Sequence, residues 1–372
     1  MTDVDIRVAT SKEDRDAVFR LRYDVYVEDM RVFADIADHE HRFLTDEHDD
    51  EACLLLATVD GEPTGTMRLV YGKPVLHEEF EDNYDVSLWC PVVVPPEQSL
   101  IISKFAVRPT HRGGMVPFEL MRAAVQFGID RDVELVFCDC QPHLVTLYTC
   151  LGFRSYRGAY RDPHVAATVP LALVTRDLEH LERLNSPLLG CGLTGRTPTD
   201  TTESILKRFP TDAAVQSAEE GLALLRQMTE TLAATGGSRS VLDGLTDSEL
   251  SSFIERGQVL TLDAGDPLIG RGQGTRTLYV VLSGEFTVLG RDNAAIATLT
   301  CGQPIGEQAF LLRRERTLDV VAATDGAQVL ALSESTVNAL IEEHGPVAAK
   351  ILHSIARTLA ERLASTQSRS EL

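Results

Sequence analysis

The chain has 372 residues, of which 44% are hydrophobic, so it can bury more than one core and its length favours two or three domains. Its 56 acidic and 35 basic residues give a formal net charge of −21, which excludes nucleic acids and anionic membrane surfaces as expected partners. No apolar run approaches the roughly 18 residues of a membrane-spanning helix, and the first residues lack the apolar segment of a signal peptide. We therefore expect a cytoplasmic protein without a membrane span.

Strand and helix patterns alternate over the first half of the chain. Apolar runs on either side of Asp60 and Gly61 predict a hairpin, because this pair favours a tight turn. The predicted elements are, in chain order, a strand at 5–9, a helix at 12–30, the hairpin at 52–72, a strand at 99–107, a helix after Pro117, a strand at 133–140, a short helix at 142–153 and a strand at 165–175. This alternation predicts a mixed sheet with flanking helices.

The composition changes after this region. Residues 183–236 are rich in Gly, Pro, Ser and Thr and contain an amphipathic helix pattern at 213–234, which predicts a helical linker. From residue 237 onward, short alternating strands are separated by glycine turns and are followed by two helices. We therefore predict an α+β chain of two domains, with a mixed sheet at 1–182 and a β jelly-roll barrel with helices at 237–372.

Residues 306–323 (GEQAFLLRRERTLDVVAA) carry groups that suit a cyclic phosphodiester. A glycine allows close backbone approach, a carboxylate can accept a hydrogen bond from a ribose hydroxyl, and an arginine can pair with the single negative charge. This run follows AGDPLIGRGQ (264–273) and LYVVLSGEFTV (278–288). In order and spacing, residues 238–365 resemble the cyclic-nucleotide-binding domain.

That resemblance implies a role for individual residues. Glu307 would accept the ribose 2′-hydroxyl and Arg316 would bind the phosphate. Thr317 would lie near the phosphate or the base, which leaves both cAMP and cGMP open as the effector. The resemblance also implies that the backbone of three residues lines the cradle, namely Gly306, Gln308 and Ala309.

A strand, a glycine turn and a helix start meet in VRPTHRGGMVPFEL, residues 107–120, which is the arrangement that backbone phosphate cradles use. The stretch resembles the GNAT acyltransferase family, in which this turn holds the pyrophosphate of CoA. Met115 and Pro117 stand where the family has small residues, which predicts altered pyrophosphate recognition and leaves an acyl-CoA or an acyl-carrier protein open as donor. The resemblance implies a set of acyl-donor residues: Lys104, Phe105, Ala106, Val107, Arg112, Gly113 and Gly114.

The stretch LYTCLGF (147–153) resembles a second GNAT pattern, in which a tyrosine acts as general acid. Tyr148 would then protonate the thiolate that leaves the tetrahedral intermediate. A phenol, with a reference pKa of about 10, stays protonated at neutral pH and can serve this purpose.

Within that family, RLRYDVYVEDM (20–30), DEHDDEACLLLA (46–57), GTMRL (65–69) and ISKFAV (102–107) resemble acyl-homoserine-lactone synthases and long-chain N-acyl amino acid synthases. The resemblance implies an acceptor site in which two carboxylates take the proton of the attacking amine. Ile101 stands where lactone synthases tend to have Glu, so we do not expect lactone formation. The implied acceptor-side residues are Arg22, Asp46, Asp49, Arg68 and Ser103.

Two other clusters receive simpler interpretations. The histidines and carboxylates of residues 39–50 lack the fixed spacing of a metal site, so we expect no metal. Cys138 and Cys140 lie in an apolar strand and are interpreted as packing residues.

We therefore expect a cyclic-nucleotide-regulated N-acyltransferase that transfers an acyl group from a CoA or carrier-protein thioester to an amine. The acceptor would be an amino acid or another small metabolite. One alternative is a cAMP-regulated protein lysine acetyltransferase, and another is a non-catalytic nucleotide sensor. The sequence leaves a homodimer open.

Overall fold

The computed structural model describes residues 4–112, 114–141, 144–157, 160–162, 164–209, 241–242, 244–246, 248–249, 253, 257–275 and 277–370. Gly113 and the predicted linker helix at 213–234 lie outside these residues. The chain divides into two units, Met1–Cys140 with Leu147–Thr211, and Gln141–Thr146 with Asp212–Leu372. We call them the first and the second unit.

A mixed sheet forms the centre of the first unit, as the sequence predicts. Among the described residues, its strands follow the order β1-β2-β3-β4-β5-β8-β6, and β7 also pairs with β8. Neighbouring strands are antiparallel except for the parallel pair β4 and β5. The strands are β1 (Val4–Val8), β2 (Cys53–Val59), β3 (Glu62–Tyr71), β4 (Ser99–Val107), β5 (Leu135–Cys140), β6 (Arg154–Ser155), β7 (Tyr160–Asp162) and β8 (Ala166–Val174).

Helices cover the sheet. The α-helices are α1 (Lys12–Arg22), α2 (Glu78–Tyr84), α3 (Val116–Ile129), α4 (Val145–Leu151), α5 (Leu178–Arg183) and α6 (Asp200–Leu206). The single helix predicted at 12–30 changes its hydrogen-bond pattern: α1 continues as a π-helical segment, Tyr23–Asp29. Helix α3 packs closely on β3, because a Cβ at Gly65 would lie 2.7 Å from Leu120 Cδ1 and would displace that side chain.

One apolar core of the first unit lies on the sheet face that carries Ile101 and Phe137. These two residues are register partners on β4 and β5. Trp89 packs beside them, with its ring centroid 6.4 Å from that of Phe137. Residues 183–209, which the sequence places in the linker, contribute Ile205 and Phe209 to this core. The predicted domain boundaries stay a prediction.

Pairing between β4 and β5 stops before either strand ends. Ser99–Ile102 pairs with Leu135–Cys138, and the remaining residues of the two strands have no register partners in each other. On its other edge β4 bulges, because Thr66 pairs with Ala106 and Arg68 with Ser103, so that Lys104 and Phe105 together oppose one residue of β3. Lys104 takes the left-handed conformation with φ of 48°. We call the opening between residues 103–107 and residues 139–140 the crevice.

The second unit has the predicted β barrel with helices. Its described strands form two four-stranded antiparallel sheets, β10-β15-β12-β13 and β14-β11-β16-β9. These strands are β9 (Gln258–Leu262), β10 (Pro267–Ile269), β11 (Thr277–Ser283), β12 (Phe286–Leu289), β13 (Ala295–Leu299), β14 (Pro304–Ile305), β15 (Asp319–Ala322) and β16 (Ala327–Ser333). The helices are α7 (Glu307–Leu312), α8 (Glu334–Glu343) and α9 (Gly345–Ser370). Among the described residues, no helix is both long and apolar enough to span a membrane.

Candidate functional site

The residues predicted for the acceptor side come together beside the crevice. The Nη1 atom of Arg22 lies 2.8 Å from each carboxylate oxygen of Asp49. Arg68 forms an ion pair with Asp46 and donates a hydrogen bond from Nε to Ser103 Oγ at 2.9 Å. We call these five residues the acceptor cluster.

Local structure holds the carboxylates of the acceptor cluster in place. Asp46 caps a short 3₁₀ helix, Glu47–Asp49, by accepting a hydrogen bond from the backbone N–H of His48 at 3.0 Å. The Asp49 carboxylate accepts one in return from the Asp46 N–H at 2.9 Å. Arg22 ends α1, Arg68 lies on β3, and both are almost fully buried. Buried guanidinium groups need such paired carboxylates, because an uncompensated charge in this position is strongly destabilising.

Lys104 adds a third cation to the acceptor cluster. Its Nζ lies 3.5 Å from Asp46 Oδ2 and 4.3 Å from the ring centroid of Phe33. Burial lowers the pKa of Lys104. Burial opposes ionisation of Asp46, but the charges of Arg68 and Lys104 outweigh it, so the pKa of Asp46 is lowered. Asp46 is therefore an ionised, charge-compensated carboxylate and a weak base.

The predicted donor residues that the structure describes lie along the crevice and the turn that follows it. Tyr26 donates a hydrogen bond from its hydroxyl to the Phe105 carbonyl oxygen at 3.0 Å. Arg112 donates from Nε to the Val107 carbonyl oxygen at 3.0 Å and pairs with Asp29 at 2.6 Å, so it holds the turn in place. The Met115 residue is 51% exposed and is not part of the protein core.

Tyr148 lies on α4 and is buried against Phe153, with ring centroids 5.4 Å apart. Burial raises the pKa of the Tyr148 hydroxyl well above its ordinary value. The phenol therefore carries its proton at neutral pH, as a general acid must before it acts.

One carboxyl group at the crevice, that of Asp139, is not among the residues predicted from the sequence. Asp139 accepts hydrogen bonds from the hydroxyls of Tyr84 at 2.9 Å and Tyr160 at 2.7 Å. Asp139 is the only acidic residue within the apolar strand β5. This charged residue in an apolar run is the feature of the sequence that could have indicated a functional role. Its neighbours Cys138 and Cys140 are buried, and burial raises the pKa of both thiols, as in packing residues.

One group of side chains has the donor atoms of a metal site. Atoms of Glu47, His48, His77 and Glu79 lie within 4.8 Å of one another. His48 Nε2 is already hydrogen-bonded to Glu79 at 2.7 Å, and His77 Nδ1 accepts the Glu79 N–H at 3.3 Å. Hydrogen bonds thus link three of these four residues, and the expectation of no metal stays a prediction.

The second unit brings the predicted nucleotide residues to the start of α7. Arg316 is buried and donates from Nη1 to the Gly306 carbonyl oxygen at 2.7 Å, and also to the Thr277 carbonyl oxygen. Among the described residues it forms no ion pair with a carboxylate, and burial lowers its pKa. Gly306 has φ of +79°, and a Cβ there would lie 2.0 Å from Arg316 Nη1, so only glycine fits beside this guanidinium.

The other predicted nucleotide residues differ in exposure. Glu307 and Ala309 are buried, whereas Gln308 and Thr317 are exposed. Glu307 accepts a hydrogen bond at 2.6 Å from Arg362 on α9, a partner that the sequence analysis did not identify. The cradle therefore presents a buried cation and a buried, paired carboxylate.

Comparisons with known families agree with this division. Residues 17–177 match the family described as N-acyl amino acid synthase FeeM, and residues 259–344 match the cyclic nucleotide-binding domain. The chain thus combines an N-acyl amino acid synthase-like acyltransferase domain with a cyclic-nucleotide-binding domain, which confirms both resemblances predicted from the sequence.

Individual relatives cover only parts of the chain. L-ornithine N(alpha)-acyltransferase of Rhodobacter capsulatus is 28% identical over 145 residues, which are 36% of this chain and 54% of that protein. Glutaminase 2 of Bradyrhizobium diazoefficiens is 29% identical over 136 residues, which are 37% of this chain and 22% of that protein. The solved structure of the CoA-dependent acyl-homoserine lactone synthase BjaI aligns with a TM-score of 0.40 at 20% identity, covering 55% of this chain and 100% of that one. The chain spans about half or less of the length of these two curated relatives.

Proposed function

We propose that the protein transfers an acyl group from a thioester to the amine of an amino acid, and that a cyclic nucleotide regulates this reaction. The observation that carries the proposal is the acceptor cluster. Two buried arginines, two carboxylates and a serine lie at the crevice, within the region that matches N-acyl amino acid synthases.

An amino acid acceptor suits this cluster because it carries both charges. Its carboxylate can pair with Arg68 or Lys104, and its ammonium group can pair with Asp46. The similarity to an L-ornithine N(alpha)-acyltransferase supports an α-amino acid, with ornithine as the first acceptor to test. Asp49 holds Arg22 and acts as a positioning residue.

The donor thioester would lie in the crevice. Beyond Ile102, β4 has no pairing with β5, so backbone N–H groups of residues 103–107 can bind the thioester carbonyl oxygen there. A donor aimed at the developing oxyanion stabilises the tetrahedral intermediate. Tyr148 then protonates the departing sulfur. Arg112 supports the donor site by holding the turn after β4 in place. The donor would be either an acyl-CoA or an acyl-carrier protein, and both are to be tested.

In the second unit, Arg316 would bind the cyclic phosphate. Among the described residues, the buried Arg316 guanidinium donates to neutral oxygen acceptors, which favours an anionic ligand. A charge-assisted hydrogen bond contributes about 1.5–3 kcal/mol. Glu307 would accept the ribose 2′-hydroxyl. Allosteric coupling of this kind usually amounts to about 1–3 kcal/mol, which is roughly 5- to 150-fold in affinity.

A matrix of donors and acceptors tests the catalytic proposal. Purified full-length protein would be incubated with acetyl-CoA, long-chain acyl-CoA or long-chain acyl-carrier protein, together with single amino acids or a lysine-containing protein. Mass spectrometry would then detect the acyl amide. We expect acylated amino acids. Acyl-lysine in protein would instead support the acetyltransferase alternative, and no turnover with any donor would support the sensor.

Adding cAMP or cGMP to the same assay tests regulation. We expect one nucleotide to change the initial rate by about 5- to 150-fold. An unchanged rate at a nucleotide concentration that calorimetry shows to be saturating would contradict regulation and leave the catalytic proposal standing.

A further inference from the structure

Asp139 occupies a different environment from the carboxylates of the acceptor cluster. Both of its oxygens accept tyrosine hydroxyls, from Tyr84 at 2.9 Å and Tyr160 at 2.7 Å. Among the described residues it forms no ion pair. Asp139 is intermediate in exposure and directly follows Cys138, the last residue of β5 that pairs with β4, so it lies at the crevice.

The register of the sheet places Asp139 on the same face as the acceptor cluster. Ile101 on β4 pairs with Phe137 on β5, and side chains alternate between the two faces along a strand. Ser103 and Asp139, two residues further along each strand, therefore share the face of Ile101 and Phe137. Arg68 pairs with Ser103 across the sheet, so the acceptor cluster and Asp139 flank the crevice from its two strands.

Asp46 and Asp139 differ in the direction of their pKa shifts, which suits them to different roles. Asp46 is held ionised by Arg68 and Lys104, and its lowered pKa makes it a poor proton acceptor. Burial raises the pKa of Asp139, and the hydrogen bonds from Tyr160 and Tyr84 lower it without reversing that shift. Carboxylates whose environments drive their pKa values apart commonly divide binding and proton transfer between them.

We propose that Asp139 is the catalytic base that takes the proton from the attacking ammonium group, while Asp46 and Asp49 bind and position. This inference rests on the proposed acyl transfer. The ammonium group gives one proton to the Asp139 carboxylate, directly or through one water. The free amine then attacks the thioester carbonyl carbon and forms the C–N bond.

The remaining steps balance the reaction. The C–S bond breaks, its electron pair leaves on sulfur, and Tyr148 protonates the thiolate. The second proton lost by nitrogen restores the Tyr148 hydroxyl, and the proton on Asp139 passes to solvent. The products are an amide, a free thiol and one released proton.

Other titratable groups surround Asp139 and bear on its pH response. Lys104 on β4 favours the ionised form, whereas Asp162 on β7 opposes it. Burial raises the pKa of the remaining neighbours, so they stay neutral in the pH range in which a carboxylate titrates; these are Tyr26, Cys138, Cys140, Tyr148 and Tyr156.

Asp139→Asn tests the proposal with little change of shape, because an amide can keep hydrogen bonds with both tyrosines. In steady-state assays with a saturating donor, we expect kcat/KM for the amino acid to fall by about 10²- to 10⁴-fold. The acidic limb of the pH–rate profile should disappear. Tyr160→Phe should keep the limb but move its midpoint to higher pH, because it removes a hydrogen bond that stabilises the ionised form.

Tyr156→Phe is the matched control, because the Tyr156 hydroxyl donates to the Tyr84 carbonyl oxygen at 2.7 Å and not to Asp139. It should keep the wild-type midpoint. Circular dichroism would verify that each variant is folded.

The outcomes separate the two proposals. If wild-type protein transfers no acyl group, the proposed function fails. If wild-type protein is active and Asp139→Asn retains its rate within about twofold and its acidic limb, Asp139 is not the base. Loss of the limb in Asp46→Asn, with the limb retained in Asp139→Asn, would assign that role to Asp46 instead.

Discussion

The two units compensate buried arginines in opposite ways. In the first unit, Arg22 and Arg68 pair with Asp49 and Asp46, so each positive charge has a carboxylate partner within the protein. In the second unit, Arg316 donates to carbonyl oxygens and to the Thr275 hydroxyl, which are neutral acceptors. The first arrangement suits a ligand that carries both charges, and the second suits an anion. Burial of an arginine by itself therefore gives no indication of the ligand's charge, whereas the charge of the arginine's partners does.

Asp49→Ala should have the largest effect, because it leaves Arg22 buried without its carboxylate. We expect the free energy of unfolding of the first unit to fall by about 3–5 kcal/mol, measured by urea denaturation. The double variant Asp49→Leu with Arg22→Met should recover much of that loss, since neither charge remains. A loss below about 1 kcal/mol for Asp49→Ala would contradict the compensation that we assign to this pair.

Acid should destabilise the first unit through His180. Burial lowers the pKa of this histidine from 6.5 to about 4. The unfolded chain therefore takes up a proton as the pH falls below 6.5, whereas the folded chain does so only near 4. Stability should fall by about 2–3 kcal/mol across this window and lose nothing more from His180 below it.

His180→Gln provides the comparison for that measurement. Denaturant midpoints recorded from pH 7 to pH 4.5 should show a smaller slope in this variant than in wild type. Equal slopes would show that His180 does not carry the acid sensitivity. His180 lies on α5 of the first unit, so the difference between the two slopes reports on that unit.

Arg316→Ala should weaken cyclic-nucleotide binding by about 10- to 150-fold, because one charge-assisted contact to the phosphate is lost. Calorimetry with cAMP and cGMP on the full chain would measure the change. Arg313→Ala is the control, since that arginine is exposed and pairs with Glu334 at 2.6 Å. Equal nucleotide affinities of the two variants would show that Arg316 does not bind the phosphate.

Arg362→Ala should have the smallest effect. Its ion pair with Glu307 is partly exposed at the arginine end, so we expect nucleotide affinity to fall by only about 2- to 5-fold as Glu307 loses its orienting partner. Lys350→Ala, on the same helix and paired with Glu249 at 2.8 Å, should bind nucleotide as wild type does. Identical affinities for both variants would show that Arg362 does not orient Glu307.

Residue patterns in the sequence predict both domains. Strand and helix periodicity predicts a mixed sheet and a β barrel, and the motifs around Arg68 and Arg316 indicate candidate site residues. These features are local in the chain, since alternation along a strand and a glycine beside a carboxylate can be read from consecutive residues. The helix predicted at 12–30 shows what such local patterns cannot predict. The spacing of its apolar residues does not indicate that the hydrogen bonding becomes π-helical at Tyr23.

Partnership between distant residues required the tertiary structure. Asp139 lies 55 residues from Tyr84 and 21 from Tyr160. The fold brings the three groups together, because β7 and β5 both pair with β8 and Tyr84 of α2 packs against Phe137 of β5. Likewise, Glu307 meets Arg362 across 55 residues. Residue type determined which groups could ionise. Their pKa values and roles depended on burial and on neighbouring charges, and both of these follow from the three-dimensional fold.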